Sequence, residues 1–328
     1  MLINYLLVLL SSFMLGIFFI TILKKSSLKY KLLIPKGIPL IGGIGISLAF
    51  TLVLLLSSLS HGALSKEIIG LVLSSSMMLI FGVVDDWHEL SIWAKFLVQI
   101  IATGLLVLFG IRTQIIYIGN LVNIIITFIW VLGITNAFNH LDVMDGIASG
   151  TAIIVSSAFF VIAVLNADTR TAILSLTLIG AIFGFFLYNF PPAKVYMGNS
   201  GSHFLGFTLA AIALIISYAP LERKVALFSP LLILGLPIFD TSFLILIRII
   251  KKNLPFKKSN DHLALRFSAL GYSKKGALFI MLGLCLFFCL SGITVSQVSN
   301  LWGIGIVAFT FFVSLVTTIK MSKVVVNG

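Results

Sequence analysis

The feature that most constrains the fold of this chain is a series of apolar runs, each about 20 residues long. A helix of that length crosses the hydrocarbon core of a bilayer. The runs lack the alternation of apolar and polar residues that a membrane β-barrel requires. The chain is 59% hydrophobic and 10% charged, whereas soluble domains are roughly 25% charged. The sequence therefore predicts an all-α, polytopic bundle of transmembrane helices.

We count about eleven apolar segments, and a count of ten stays open. Pro230 and Pro237 predict that the ninth segment is kinked or broken. Because no internal repeat or soluble stretch interrupts the series, residues 1–328 are expected to form a single integral membrane domain. The segments lie near residues 1–23, 38–60, 67–84, 93–110, 115–135, 150–166, 170–189, 202–219, 224–249, 275–296 and 299–319.

The basic residues predict the orientation of this bundle. With the N-terminus outside, 17 of the 22 Lys and Arg residues fall on the inner side and five on the outer side. Cytoplasmic loops carry such an excess, so the net charge of +12 indicates topology rather than nucleic-acid binding. The predicted cytoplasmic loops are 24–37, 85–92, 136–149, 190–201 and 250–274.

The acidic residues show a second bias. Seven of the ten Asp and Glu residues lie in or near the same inner loops. The positive-inside rule takes little account of acids and does not explain this. We therefore expect an active site on the cytoplasmic face, formed by these five loops.

Asp85 and Asp86 end the third segment. Adjacent carboxylates at a helix C-terminus oppose the helix dipole, so the pair costs stability and suggests a function. Paired carboxylates suit a divalent cation or proton transfer. The alternative is a solvated pair in a loop.

Four polar residues recur every third position where the fifth segment ends: Asn136, Asn139, Asp142 and Asp145. We expect Asn136 and Asn139 to share the last helical face, before the chain turns through Asp145 and Gly146. Oxygen ligands without thiolates favour magnesium or a nucleotide over zinc. Ordinary turn chemistry is the alternative.

Three further patterns are weaker. Gly198 to Ser202 precede the eighth segment and suggest either a phosphate cradle or an ordinary helix cap. Gly42 and Gly43 open the second segment and suggest close helix packing as readily as a function. Asp240 lies within the ninth segment, where an acid marks a functional site or a structural partner for Arg248 or for a backbone group.

In this order, the segments resemble the polyprenyl-phosphate N-acetylhexosamine-1-phosphate transferases, of the glycosyltransferase family 4 type. The resemblance runs from about residue 36 to residue 275, and the number of segments also suits the family. The strongest matches are Asp85-Asp86, the run from Asn136 to Gly146, the run from Met197 to Phe207, and Pro237 and Asp240 with Arg248.

The resemblance implies a reaction in the bacterial cell membrane. A polyprenyl phosphate, expected to be undecaprenyl phosphate, attacks the β-phosphorus of a UDP-N-acetylhexosamine. The products are a polyprenyl-diphosphate-sugar and UMP, the first membrane step of a cell-envelope polysaccharide such as lipopolysaccharide or teichoic acid. Magnesium is the implied cofactor, with manganese as a substitute. Membrane lipids are expected partners, nucleic acid is not, and a homodimer stays open.

The resemblance also implies roles for individual residues. Asp85, Asp86 and His262 are the expected catalytic residues, with Asp85 ranked as the base. Asn139 and Asn199 match metal-binding positions. The expected substrate contacts are Lys95, Asn136, Asp142, Asp145, Asp240, Arg248 and Arg266.

Two departures from the family pattern affect this prediction. Asn199 stands where the family usually has Asp, which leaves an oxygen ligand without charge. Only His262 remains in a loop that often carries several histidines, since Ala264 and Leu265 follow. We therefore expect a UDP-GlcNAc-type donor. Transfer of phospho-MurNAc-pentapeptide is the alternative, an inactive family member is another, and an ion-coupled transporter is a remote one.

Overall fold

The computed structural model describes residues 2–60, 65–252 and 261–326, without the side chains of Lys36 and Ser60. Within these residues the chain forms thirteen α-helices and no β-strand beyond an isolated bridge between Leu40 and Tyr196. The predicted all-α architecture is confirmed. The helices are α1 (Leu2–Tyr30), α2 (Gly42–Ser60), α3 (Lys66–Trp87), α4 (Ile92–Leu108), α5 (Gly119–Leu141), α6 (Ile147–Leu165), α7 (Thr169–Asn189), α8 (Gly198–Ile215), α9 (Ser229–Ile233), α10 (Gly235–Ile250), α11 (Leu263–Ala269), α12 (Lys274–Gln297) and α13 (Asn300–Ser322).

Every one of the eleven predicted segments coincides with a helix or, for the ninth, with a pair of helices. In the described part of the chain, eight helices are long and apolar enough to cross a membrane, and the bent pair raises this number to nine. Two of the eleven predicted segments form helices that are too short or too polar at one end to count as membrane-spanning. Helix α4 has only 17 residues, and α8 begins with the polar run 198–203.

The ninth segment is broken, as its prolines predict. The part from Lys224 to Ile233 meets α10 at an angle of 72°. Pro230 lies at the start of α9, where a missing N–H is tolerated, and Pro237 lies in the first turn of α10. The break at Leu234 therefore separates two helices, each of which has a proline in its first turn, where it is tolerated.

Several helices extend beyond the apolar runs that predicted them. Helix α3 continues to Trp87 and α5 to Leu141, while α8 begins at Gly198 rather than near 202. An apolar run marks the contact with lipid, whereas the hydrogen bonds of a helix continue into polar residues. Asp85, Asp86, Asn136 and Asn139 consequently lie on helical turns, and the prediction that Asn136 and Asn139 lie at the helical end of the fifth segment is confirmed.

The predicted loop 250–274 contains α11, a helix that the hydropathy pattern did not indicate. Lys257 and Lys258 of this loop lie outside the described residues. Helix α11 follows directly and packs against α10 and α12. It thereby places His262, at its N-terminus, against Asp240 of α10.

Helix α8 occupies the centre of the bundle. It packs against α2, α3, α5, α6 and α7, and its residues from Ser200 to Ala213 are all buried. A single hydrophobic cluster joins these helices with α1, α4, α10, α11 and α12. The position of the first turn of α8 is therefore set by contacts on several sides.

Candidate active site

Helices α2 and α3 both approach the first turn of α8 closely. The N–H groups of Gly42 and Gly43, at the start of α2, donate to the carbonyls of Tyr196 and Met197, both at 3.0 Å. A Cβ atom on Gly43 would lie 2.2 Å from the nitrogen of Gly201. The packing role considered for Gly42 and Gly43 is therefore confirmed.

Asp86 binds this turn from α3. Its Oδ1 accepts a hydrogen bond from the N–H of Asn199 at 2.7 Å, and its Oδ2 accepts one from Ser200 at 3.0 Å. These two N–H groups are not free, because a carboxylate of the protein already occupies them, so the turn is a capped helix start, the alternative to the phosphate cradle. The arrangement also accounts for an acid at the C-terminal end of α3, since the positive end of the α8 dipole stabilises it.

Asp85 forms an ion pair with Lys95 of α4. The Lys95 Nζ lies 2.6 Å from Oδ2 of Asp85, whose side chain is fully buried. Oδ1 accepts a hydrogen bond from the N–H of Leu90 at 2.8 Å. The structure therefore brings together a predicted base and a predicted substrate-binding cation, which the sequence separates by ten positions.

Asn139 and Asn199, the two predicted metal ligands, are in direct contact. The Asn139 Nδ2 donates to Oδ1 of Asn199 at 3.0 Å and to Oγ of Ser202 at 2.9 Å. Within the described part of the chain, Oδ1 of Asn139 accepts no hydrogen bond. This oxygen is therefore available to a ligand.

Asp142 and Asp145 lie in the tight turn between α5 and α6. The Oδ2 of Asp145 accepts a hydrogen bond from the N–H of Ala193 at 3.1 Å, which ties the turn to the loop before α8. Asp142 forms no hydrogen bond within the described residues. Its burial, followed by the charges of Asp86 and Asp145, raises its pKa to about 7. Asp86 and Asp145 are thus each close enough to Asp142 to repel its negative charge.

Asn189 holds the same turn, and the sequence analysis did not identify it. Its Oδ1 accepts from the N–H of Gly146 at 3.0 Å and from Oγ of Ser149 at 2.8 Å. Its Nδ2 donates to the carbonyl of Val195 at 3.1 Å. Its position as a polar residue at the end of an apolar segment, directly before Phe190 and two prolines, is the one sequence signal that could have identified it.

Asn136 lies one turn before Asn139 on α5 but binds a different helix. Its Nδ2 donates to Oε1 of Gln99 at 2.7 Å, and its Oδ1 accepts from Gln99 Nε2 at 3.3 Å. Gln99 is almost fully buried on α4 and was not identified from the sequence. The pair joins α4 to α5, so Asn136 supports the wall of the site, and its contact with substrate stays a prediction.

A second polar cluster connects α10 with α11. Nδ1 of His262 lies 2.9 Å from Oδ2 of Asp240, and the N–H of Leu263 donates to Oδ1 of Asp240 at 2.9 Å. Both side chains are buried. Asp240 therefore has its hydrogen-bond partners in the histidine and the backbone of α11, and it fixes the orientation of the imidazole.

Arg266 completes this second cluster. Its Nε and one terminal nitrogen donate to the carbonyl and the carboxylate of Asp261, at 3.1 and 2.9 Å. The other terminal nitrogen donates to the carbonyls of Met321, at 2.7 Å, and Val324. Lys251 also binds Asp261, at 2.7 Å, and Arg248 is buried on α10 within electrostatic range of it. The substrate contacts expected for Arg248 and Arg266 stay predictions, but this structure uses Arg266 to hold α11 to the end of α13.

His140 lies within electrostatic range of both clusters, since it also interacts with His203 of α8. This residue of α5 follows Asn139 in the chain and interacts electrostatically with His262, Arg248 and Asp240. The α10–α11 cluster is therefore a neighbour of the site at α8 rather than a separate region.

The described residues contain no group of three or more His, Cys, Asp or Glu side chains arranged to hold a metal ion. The available donors at the site are instead a mixture of amide oxygens and carboxylates. Magnesium accepts such hard oxygen donors together with water and substrate phosphates, and it does not require an all-protein cage.

Comparison with known proteins finds one matching family and several relatives. The model of glycosyl transferase family 4 matches residues 68–217. A protein named as a probable undecaprenyl-phosphate N-acetylglucosaminyl 1-phosphate transferase, from Bacillus subtilis (strain 168), is 30% identical over 278 residues, covering 81% of this chain and 75% of that protein. A decaprenyl-phosphate N-acetylglucosaminephosphotransferase of Mycolicibacterium smegmatis is 30% identical over 277 residues, covering 74% of this chain and 68% of the relative.

A third relative carries a different name. A phospho-N-acetylmuramoyl-pentapeptide-transferase of Limosilactobacillus reuteri is 30% identical over 207 residues, covering 56% of this chain and 62% of the relative. The segment matched by the family model contains Asp85, Asp86, Lys95, Asn139 and Asn199, whereas Asp240 and His262 lie beyond it.

Proposed function

Because the chain belongs to glycosyl transferase family 4, we propose that it transfers N-acetylglucosamine-1-phosphate from UDP-N-acetylglucosamine to undecaprenyl phosphate, with release of UMP. The chain is a membrane-embedded transferase that moves a phosphosugar to a polyprenyl phosphate. The observation that carries the proposal is the convergence of the Asp85–Lys95 ion pair and the Asn139–Asn199 pair at the first turn of α8.

The choice of sugar depends on the relatives and on one feature of the chain. The two N-acetylglucosamine-phosphate transferases match 81% and 74% of it, against 56% for the pentapeptide transferase from Limosilactobacillus reuteri. The loop after α10 keeps a single histidine, His262, followed by apolar Leu263, Ala264 and Leu265. Transfer of phospho-N-acetylmuramoyl-pentapeptide is the second candidate, favoured by a segment of 89 residues that is 42% identical to another such enzyme.

The reaction requires two anions to meet. An oxygen of the lipid phosphate forms a bond to the β-phosphorus of the donor, and the bond from that phosphorus to the bridging oxygen breaks, so that UMP leaves with the electron pair. Since both reactants carry negative charge, the site must supply positive charge and must hold them in line. Lys95 is the cation closest to the proposed base.

Asp85 is the proposed proton acceptor for the lipid phosphate. In this structure its carboxylate is neutralised by Lys95 and held by the N–H of Leu90. A phosphate group that enters beside Lys95 shares the ammonium, which weakens its attraction to Asp85 and makes the carboxylate a better base. Through Lys95, binding of the lipid phosphate thereby increases the ability of Asp85 to accept a proton.

Magnesium, or manganese in its place, is the proposed cofactor. The residues fit such an ion because Oδ1 of Asn139 accepts no hydrogen bond from the described residues and because Asp142 is crowded by Asp86 and Asp145, which together with burial raises its pKa to about 7. A cation would relieve this excess of negative charge. Asn139, Asn199 and Asp142 would hold it, and a bound magnesium ion supplies charge neutralisation for the diphosphate.

We propose that this end of the bundle faces the cytoplasm, with the N-terminus outside. The distribution of 17 basic residues against five supports this orientation. The end of α3, the end of α5 and the start of α8 all lie on the side that it assigns to the cytoplasm. A soluble nucleotide and a lipid phosphate at headgroup level would meet there.

The proposal is tested with purified protein in detergent or nanodiscs. It is given undecaprenyl phosphate, magnesium and, in separate reactions, UDP-GlcNAc, UDP-GalNAc and UDP-MurNAc-pentapeptide. UMP release and the mass of the lipid product are measured, with Asp85→Asn as the inactive control. Product from UDP-GlcNAc alone supports the proposal. Product from the pentapeptide donor alone establishes the second candidate, and no product from folded protein with any donor rejects both.

A further inference from the structure

We infer that Asp86 is a positioning residue, which fixes the first turn of α8 and so places Asn199, and that it is not a second base beside Asp85. The inference rests on the proposed function for its catalytic consequence, but its geometric part can be tested without it. It assigns Asp86 a role different from the catalytic one that the sequence analysis expected.

The carboxylate of Asp86 supplies the cap that α8 does not provide for itself. The first N–H groups of a helix have no acceptor within it and are usually satisfied by a side chain just before the helix. In α8 the preceding residue is Met197, which forms no such bond. The N–H groups of Asn199 and Ser200 instead donate to the two oxygens of Asp86, at 2.7 and 3.0 Å.

Gly198 makes this contact possible. Its φ of +76° is a conformation that other residues rarely adopt, and a Cβ atom there would lie 2.5 Å from Oδ2 of Asp86. A second glycine, Gly82 of α3, lets the backbones of α3 and α8 come together: a Cβ atom on Gly82 would lie 2.4 Å from the Cα of Ser200. The glycines and the carboxylate thus form one interlocked contact.

Asn199 is the residue that this contact places. Its N–H is held by Asp86, its Oδ1 accepts from Asn139 at 3.0 Å, and its carbonyl lies 2.8 Å from Nδ1 of His203. If the bond to Asp86 is lost, the first turn of α8 can fray and the Asn199 side chain loses its fixed position against Asn139. Asp86 therefore acts on the ligand site through the backbone of Asn199.

Asp85 differs from Asp86 in the kind of group it binds. Asp85 is paired with a side-chain cation, and a substrate phosphate can compete for that cation. Asp86 instead accepts hydrogen bonds from backbone N–H groups of a buried helix. A substrate cannot take over these donors unless the first turn of α8 unwinds. On this inference, Asp85 takes part in the reaction, whereas its neighbour Asp86 holds the first turn of α8 in place.

Hydrogen–deuterium exchange of the full-length protein tests the geometric part. In Asp86→Ala, exchange at the amides of Asn199 and Ser200 should accelerate about 2- to 30-fold, the range that corresponds to loss of a helix cap. In Asp86→Asn, whose amide retains one acceptor oxygen, one of the two amides should accelerate. Asp85→Asn is the matched control and should leave both amides as protected as in the wild type. Unchanged exchange in folded Asp86→Ala, or at both amides in folded Asp86→Asn, would overturn the inference.

The catalytic part is tested by the dependence of turnover on magnesium. Asp86→Asn should raise the half-saturating magnesium concentration by about tenfold, as loss of a residue that orients a ligand does, and should largely retain kcat at saturation. Asp85→Asn should lose kcat. Loss of kcat in Asp86→Asn with an unchanged magnesium requirement would make Asp86 a base and refute the inference. If the wild type has no activity, the proposed function fails, while the exchange measurement still decides whether Asp86 caps α8.

Discussion

The α8 cluster and the α10–α11 cluster contain similar residues but differ in how completely the protein satisfies them. In the α8 cluster, defined by Asp85, Lys95, Asn139, Asp142 and Asn199, one amide oxygen and one carboxylate have no hydrogen bond within the described residues. In the α10–α11 cluster, defined by Asp240, Asp261, His262 and Arg266, the charged groups bind one another and the backbone.

This difference separates a ligand site from a support. Groups that lack partners inside the protein gain most from an incoming phosphate or cation, because their desolvation is not yet compensated. Groups that are already paired gain little and lose their existing bonds when they rearrange. We therefore expect substitutions in the first cluster to affect turnover, and substitutions in the second to affect folding.

The largest effect is expected for Asp85→Asn. The amide keeps the shape of the side chain and the contact with Leu90, but it cannot accept a proton, so turnover should fall by about 10²- to 10⁴-fold. UMP release at saturating substrate measures it, with thermal stability as the control for folding. Near-normal turnover in a folded variant would remove Asp85 from the chemistry.

Arg266→Ala tests the opposite side of the comparison. Removing a fully buried guanidinium that holds Asp261 and the carbonyls near the end of α13 should destabilise the protein by about 3 kcal/mol. The loss is measured by heating samples to a series of temperatures and determining, by size-exclusion chromatography, the fraction of protein that stays folded.

Lys251→Ala is the matched control, since Lys251 binds the same Asp261 from an exposed position and should cost under about 1 kcal/mol. Wild-type stability of Arg266→Ala, together with a raised KM for the UDP-sugar, would instead place Arg266 in the substrate site.

A smaller effect is expected for Asn199→Asp. The added carboxylate faces Asn139 and strengthens the attraction for a divalent cation, so magnesium or manganese should bind on the order of tenfold more tightly. Isothermal titration measures it directly. Equal affinity in the two proteins would show that residue 199 does not contact the ion, and the assignment of Asn199 as a ligand would be withdrawn.

The smallest effect concerns pH. Burial, with Asp86 and Asp145 nearby, raises the pKa of Asp142 to about 7, so the folded protein keeps a proton that the unfolded chain loses near pH 4. The contribution of Asp142 to stability therefore falls as pH rises from about 4 to about 7.

Asp142→Asn removes this dependence, and its melting temperature should exceed that of the wild type by a few degrees at pH 8 but not at pH 4. Melting curves without magnesium measure the difference, and magnesium should reduce it if Asp142 faces the ion. A constant difference across this range would contradict the raised pKa.

Much of this site followed from the spacing of residues along the chain. The pairs Asp85-Asp86 and Asn136–Asn139 were placed at helix ends because they follow long apolar runs, and the resemblance joined them to Lys95 and Asn199. Gln99 and Asn189 were missed because a single amide in an apolar helix, or at its end, has no periodic signal. Helix α11 was missed because a helix of seven residues does not form an apolar run of spanning length.

The sequence by itself determined that the chain crosses a membrane repeatedly, that its ninth segment is interrupted, and which polar residues gather at one end. These properties depend on hydrophobicity, proline and charge, which act locally. Only the tertiary structure decided what each polar residue binds. Asp85 and Asp86 are identical and adjacent, but α4 brings a lysine to one and α8 brings its N-terminus to the other. That difference arises from packing between distant segments, which local sequence does not encode.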